Sequence, residues 1–564
     1  MIHHWIFKPQ PPSEIVKKLQ KELNLSEIPA TLLAQRGIFD FEQAKTFFRP
    51  SLSDLHNPFL MKDMEKAVQR VLRAFEKQEK ILIYGDYDVD GTTAVSLMYL
   101  YLKQFTHKLA AYIPDRYTEG YGVSFQGVDY ASENGFSLII ALDCGIKDIE
   151  KVQYASEKGI DFIICDHHRP SQVIPKAIAV LNPKQTDCNY PYKELCGCGV
   201  GFKLVQAINK TLKNPFEQIQ PLLDLVAVAI GADIVPVTGE NRVMLHYGLE
   251  ILNKNPSVGL TVLLGMEGKP VQMMDIVFGL APKINSAGRI EHGMFAVKLL
   301  TESSYSQAIA KAKQIETFNG ERKELDATIE QEALNQIQAN GEEEKSATVV
   351  YAPHWHKGVI GIVASRLIET YYRPTVVFTK SGEKYAASAR SVQGFDIYEA
   401  LEQCSEHIEQ FGGHKYAAGL TILPEKYSLF KQKFEEVIAK TLPKELKSPK
   451  ITIDTKLPLE KINQKMFNIL KQFEPFGPQN MPPIFYAKNV IDTGFAKQIG
   501  KDNSHLRLTL KDFNGKNFFP AVGFNLGHKL ELVKSGKPFE IVYSIEENHW
   551  NGNTSLQLKV RDIR

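Results

Sequence analysis

Cysteine is scarce: 6 residues in a chain of 564 cannot build the disulfide framework of a small secreted scaffold. Cys196-Gly197-Cys198, with Cys188 nearby, lacks the second CxxC or paired His of a zinc site, so small buried thiols are expected. No uninterrupted apolar stretch approaches the roughly 18–20 residues that span a bilayer. The start, Met1-Ile2-His3-His4-Trp5, shows no basic segment ahead of an apolar core, so no secretory signal is read and a cytoplasmic location is expected. Fixed-period repeats and low-complexity tracts are absent, which excludes solenoid and collagenous architectures. Net charge is also small: 67 Lys and Arg against 65 Asp and Glu leave +2, no global sign of a polyanionic partner.

What is there is the composition of a soluble globular protein, 43% hydrophobic, 23% charged and 10% aromatic. The length calls for three or four domains. Charge is unevenly spread. Residues 451–564 hold 16 Lys and Arg against 11 Asp and Glu, leaving 51 against 54 in the remainder. A mildly basic C-terminal module permits a polyanion without demanding one.

Residues 1–60 are rich in Pro and Phe and read as a lead-in packed on the main body. From Lys66 short apolar runs alternate with helical stretches. Ile81–Tyr84, Leu109–Ile113, Leu138–Leu142 and Phe162–Cys165 read as strands of a parallel sheet covered on both faces. Leu222–Ile230 reads as a buried helix. Residues 303–343, without Pro and rich in Ala, Glu, Lys and Gln, predict one long solvent-facing helix joining two lobes. A second α/β pattern begins at Ala347. Ile451–Arg564 has short alternating strands with Gly and Asn turns, the pattern of a small β-barrel, in which Phe485, Phe513, Phe518 and Phe519 read as core sooner than as stacking platforms.

The chemistry sits after the strands. Ile81–Tyr84 runs into Gly85-Asp86-Tyr87-Asp88-Val89-Asp90-Gly91. Leu138–Leu142 ends in Asp143-Cys144-Gly145, Phe162–Cys165 in Asp166-His167-His168, and the helix 222–230 in Gly231-Ala232-Asp233. The C-terminal ends of parallel strands share one edge, so four distant segments would deliver Asp and His to one crevice. Each piece alone has a plainer reading. Asp after a strand is often a helix N-cap, and DxDxDG could belong to a calcium loop, although Leu97 stands where that loop needs Glu. Together they point to a cation site, because carboxylates a few ångströms apart repel one another. Oxygen ligands with one or two imidazoles suit Mn²⁺ or Mg²⁺, and a bridging Asp allows two ions about 3.5–4 Å apart, the spacing of phosphoester hydrolysis.

Asp86–Gly91 together with Asp166-His167-His168 resembles the DHH phosphoesterase superfamily, and within it the bacterial exonucleases specific for single strands. The likeness continues through Pro282–Arg289, His356–Arg366, Ser388-Ala389-Arg390, Phe411–His414 and Glu474–Pro478 in consistent order. It implies a DHH catalytic domain at 61–300, a connecting helix at 301–345, an α/β DHHA1 substrate domain at 346–445 and an OB-like β-barrel at 446–564. It implies that Asp88 and Asp143, with Asp86, hold one divalent ion, Mn²⁺ or Mg²⁺. Asp90, Asp143, His167 and Asp233 would hold a second, with Asp143 bridging. His168 would face the scissile phosphate and Asp166 would orient the His pair.

Tyr84 stands where the pyrophosphatase branch carries a His, which argues against that branch. By the same resemblance Arg116, Arg289, Ser388 and Arg390 form a pocket for a terminal 5′ phosphate. Asn285 and Gly412, Gly413 and His414 would also touch the substrate, and Tyr121 could stack on a base or pack as an ordinary aromatic. The activity implied is 5′→3′ hydrolysis of single-stranded DNA to mononucleotides in repair and recombination, by a monomer working beside a helicase and a single-strand-binding protein. Hydrolysis of short oligonucleotides or cyclic dinucleotides uses the same centre. A non-catalytic single-strand scaffold is the reading from another class, against which the intact ligand set argues.

Overall fold

The computed structural model describes residues 3–265, 269–550 and 553–564. The chain divides into two units. One holds residues 56–235 and 244–449, the other 1–55, 236–243 and 450–564.

The first unit carries two sheets. Strands β1 (Ile81–Gly85), β2 (Leu109–Tyr112), β3 (Leu138–Leu142), β4 (Asp161–Cys165) and β5 (Ala179–Leu181) form a parallel sheet in the order β2-β1-β3-β4-β5. Every residue of β1 and β3 is buried, as expected of strands covered on both faces. The register aligns Gly85 with Leu142 and Leu142 with Cys165, so the residues after β1, β3 and β4 emerge at one level of one edge. Helix α1 (Val89–Leu102) is apolar nearly all round and buried accordingly; Asp88 caps it by accepting from the Gly91 amide at 3.0 Å. Helices α2 (Gly197–Thr211) and α3 (Leu223–Ala232) are likewise buried along most of their length.

Helix α4 (Ala281–Ile290) precedes α5 (Tyr305–Ala339), whose 35 residues span about 52 Å. The expectation of a solvent-facing α5 needs correction. Ala308, Ala312, Ile315, Asn319, Arg322, Asp326, Ile329, Ala333 and Ile337 are buried at spacings of three and four, a stripe that faces protein along the whole helix. Two charged residues in that stripe disguised it. The second sheet runs β9 (Gln410–His414), β10 (Ala417–Ile422), β8 (Lys384–Arg390), β7 (Thr375–Ser381), β6 (Thr348–Tyr351), parallel only between β6 and β7. Helix α6 (Ile360–Thr370) packs on it.

In the second unit, Phe485–Asp492 pairs with Phe539–Trp550 and also with His505–Asp512, and Asn553–Ile563 and Phe518–Gly523 complete a ring of five paired strands. The helices Ser13–Leu23, Glu27–Ala34 and Phe41–Phe48 share one apolar core with those strands. The excursion at 236–243 is anchored by Arg242, which lies 3.9 Å over the Phe47 ring and donates to the carbonyls of Phe47, Phe473, Glu474 and Pro475. Phe485 is core, and Phe519 packs against it. Phe513 and Phe518 are exposed, against the expectation of a core role, because they sit at a strand end and on an outward-facing position.

Candidate active site

Gly85 ends β1, and the chain turns so tightly that a side chain on Gly91 would lie 2.4 Å from the Asp86 carbonyl oxygen. That turn presents Asp86, Asp88 and Asp90 at the sheet edge. Asp90 is held from across the crevice: the amides of Gly197 and Cys198, at the N-terminus of α2, donate to its two oxygens at 2.6 and 2.7 Å. Gly197 is obligatory here, since a Cβ would stand 2.4 Å from Asp143 Oδ1. These amides escaped the sequence reading. Their signal was the Gly-Cys-Gly run opening a helix, with Cys196 as the N-cap. All six cysteines are free and buried.

Asp143 follows β3 in the left-handed region at φ 61°, its amide bonded to the Cys165 carbonyl at 2.8 Å. His167 Nε2 lies 3.2 Å from Asp143 Oδ1, 3.6 Å from Asp233 Oδ2 and 3.8 Å from Asp90 Oδ2. The structure thus brings Asp90, Asp143, His167 and Asp233 together, and places His168 within the same ligand distance of Asp143 and His167. Asp86 and Asp88 lie close enough to repel each other but enter no such set among the described residues.

The electrostatics are those of a site built around cations. Burial, then Asp88, pushes Asp86 well above the carboxylate range, and Arg116 offsets only part of this. Burial and neighbouring carboxylates raise Asp143 far up, Asp90 to about 7 and Asp233 to about 9. Burial drives His167 down to about 3, keeping it a neutral ligand. Both Asp86 oxygens and Asp143 Oδ1 are buried without a formed hydrogen bond. Orphaned anionic oxygens beside a neutral imidazole fit hard divalent cations.

Asp166 is different. Its burial opposes ionisation, but the hydrogen bond from the His168 ring, the His168 charge and the His168 amide outweigh it and hold the carboxyl down to about 2. Its Oδ1 accepts from the amides of His167 and His168 and meets His168 Nδ1 at 2.8 Å, while Oδ2 accepts from the Ile146 amide. That fixes the His168 ring, whose Nε2 meets the Tyr121 hydroxyl at 3.0 Å. Tyr121 is exposed, and its hydroxyl makes a polar contact that neither sequence reading of it included. Tyr84 makes no approach to the carboxylates; its hydroxyl donates to the Gly122 carbonyl at 3.0 Å.

A second cluster is cationic. Arg116 lies 3.8 Å over the Tyr87 ring and donates to the Gly288 carbonyl; Arg289 donates to the Gly358 carbonyl at 2.9 Å. Arg390 donates to Ser388 Oγ at 2.7 Å and to the Ala389 carbonyl. Burial, then Arg116, Arg390 and Arg322, lowers Arg289 to about 10. None of Arg116, Arg289 and Arg390 forms an ion pair among the described residues, so the cluster has positive charge to spare for an anion. Asn285 Oδ1, on α4, is buried without a partner. Gly412, Gly413 and His414 form the exposed edge strand β9, and His414 feels the charges of Lys147 and His168. Tyr87, the ring beneath Arg116, was missed because its aromatic sits between two ligand candidates.

Three family models match this chain: the DHH family N-terminal domain at 80–230, the DHHA1 domain at 344–440 and the RecJ OB domain at 453–562. The single-stranded-DNA-specific exonuclease RecJ of Bacillus subtilis is 36% identical over 558 residues, 98% of this chain and 70% of that protein. The RecJ of Haemophilus influenzae is 33% identical, covering 90% of this chain and 92% of that one. The solved RecJ of Thermus thermophilus in complex with Mn²⁺ matches with a TM-score of 0.84 at 25% identity, over 100% of this chain and 79% of that chain. An exonuclease RecJ bound to manganese matches with a TM-score of 0.61 at 30% identity, over 70% and 98%. The chain belongs to the RecJ family of single-stranded-DNA-specific exonucleases.

Proposed function

We propose that this protein removes mononucleotides from the 5′ end of single-stranded DNA at the edge of its parallel sheet. The observation that carries the reading is the convergence of Asp90, Asp143, His167 and Asp233 beside unpaired buried oxygens, with an arginine cluster lacking counter-charge in the same unit. Asp90, Asp143, His167 and Asp233 would hold one divalent ion, and Asp143, Asp88 and Asp86 the other. When bound, Mn²⁺ or Mg²⁺ activates water and neutralises charge at the phosphate.

The chain's own groups do the rest. Asp166 fixes the His168 ring and, against the effect of burial, its hydrogen bond and charge raise His168 above its ordinary value, favouring the protonated ring that donates a hydrogen bond to a non-bridging phosphate oxygen. Arg116, Arg289, Ser388 and Arg390 take the terminal 5′ phosphate, with Asn285 and the Gly412–His414 edge beside the strand. Gripping the terminal phosphate sets the polarity. Tyr121 presents its ring to a base while its hydroxyl steadies His168. A helicase and a single-strand-binding protein as partners, a monomeric state and a cytoplasmic location belong to this reading.

Digestion of single strands labelled at either end, with and without Mn²⁺, tests it. Mononucleotides released from the 5′ label alone support it, and release from the 3′ label first, or from blunt duplex equally, overturns it. Arg390→Ala is expected to raise KM for 5′-phosphorylated strands with the number of bound Mn²⁺ ions unchanged.

A further inference from the structure

The unit formed by residues 1–55, 236–243 and 450–564 contains a groove of about 890 Å³. It runs between strand His4–Phe7, the start of helix Glu27–Ala34, strand Thr455–Lys456 and the start of helix Gln464–Lys471. Its volume falls in the range of ligand-binding clefts, roughly 300–1,000 Å³. Lys8, Lys456, Lys461 and Lys465 line it against a single acid, Glu27. Asp454 neutralises Lys8 at 2.7 Å. The other three lysines are exposed and form no ion pair among the described residues, so the groove keeps a net positive charge with Glu27 counted.

Phe7 lies 41% exposed on the wall. Its ring edges against Tyr486 at 5.5 Å and stands 5.7 Å from the Lys456 ammonium. Asn24 and Asn463 also line the groove, Asn463 capping the helix Gln464–Lys471 by accepting from the Met466 amide at 2.9 Å. The groove uses neither His505–Asp512 nor Phe518–Gly523, the middle strands of the ring on which OB folds ordinarily take oligonucleotides.

We propose that this groove binds a stretch of single-stranded nucleic acid, as a tether additional to the metal centre. The inference rests on the exonuclease reading for the identity of the strand. Three uncompensated ammonium groups on flexible stems suit a phosphate chain whose charge recurs at every residue. A half-exposed aromatic offers the sequence-tolerant stacking face such a chain uses. An acidic peptide would satisfy the charge but leave the ring face without a partner of its own kind.

The test uses the full chain with Lys456, Lys461 and Lys465 all changed to Gln, exposed positions whose loss leaves the core intact. Binding of a long oligothymidylate is measured by anisotropy in chelator across a salt series, and turnover of a dinucleotide with Mn²⁺ is the internal reference. With about 0.7 counterions released per phosphate contact on single strands, the slope of log K against log salt should fall by about 2, with at least about a tenfold loss of affinity at low salt. Phe7→Ala should weaken the strand and Phe7→Trp restore it.

An unchanged slope and affinity in the triple variant overturn the tether, as does an equal loss of dinucleotide turnover. Loss of an oligoaspartate probe with strand binding intact overturns it in favour of a peptide. The two readings separate cleanly. A wild-type protein that binds strands through these lysines but hydrolyses none refutes the exonuclease, and one that hydrolyses them with the triple variant binding equally refutes only the tether.

Discussion

Asp143 combines a left-handed backbone, an oxygen without a hydrogen bond and four carboxylate neighbours, each unfavourable in isolation. Asp143→Asn is expected to abolish Mn²⁺-dependent hydrolysis while leaving the fold in place, checked by activity and far-UV circular dichroism. Asp166→Asn loosens the His168 ring without touching the cation-facing oxygens, so activity should fall by about 10–100-fold, the usual cost of removing a group that orients a metal-site histidine. The raised carboxylates also set a pH dependence. Burial and neighbouring carboxylates raise Asp90 to about 7 and Asp233 to about 9 in the metal-free protein, so their favourable contribution is complete below about 4 and is lost as pH rises from there through the raised values. Cations replace the protons, so the rise in Tm on adding Mn²⁺ should be larger at about pH 8 than at about pH 5.

The gathering of Asp and His at one edge was legible because each follows an apolar run, and parallel topology converts that into a common edge. The bonds from Tyr121 to His168 and from Gly197 to Asp90 were not. They join residues 47 and 107 positions apart through turns that no periodicity encodes.

Among elements, α2 and α5 carry the most consequence. The start of α2 fits against the carboxylates with no room for a methyl group, so Gly197→Ala must move Asp143 or the Asp90-binding amides. A displacement near 1 Å at a reacting centre costs about 10²-fold in rate, and kcat on a labelled strand should show it. Along α5, Asp326 is fully buried and receives Arg366 at 2.8 Å and Arg322 at 3.4 Å, with Arg366 also held by Glu330. Asp326→Ala strands a buried guanidinium and should destabilise the protein by about 3 kcal/mol or more in denaturant unfolding. The length of α5 could be read from its composition. Its buried stripe could not, because Arg322 and Asp326 look like surface residues until their partners on the same helix and on α6 are known.

For the molecule as a whole, the alternation of strand and helix announced the first unit, and the short alternating strands the second. The role of residues 1–55 was hidden. The helices Ser13–Leu23 and Phe41–Phe48 are amphipathic and Glu27–Ala34 is buried nearly throughout, but the core that receives them is assembled from segments some four hundred positions later, including Leu457, Phe473 and Phe485. The near-neutral total charge was uninformative for a related reason. It averages a carboxylate-lined edge in one unit with a lysine-lined groove in the other. What unites these features is the claim that the buried carboxylates coexist because cations sit among them. Calorimetric titration of the metal-free protein with Mn²⁺ at neutral pH, in two buffers of different ionisation enthalpy, tests it directly. The account predicts two ions per chain and a net release of protons; a titration showing no uptake, or uptake without proton release, would contradict it.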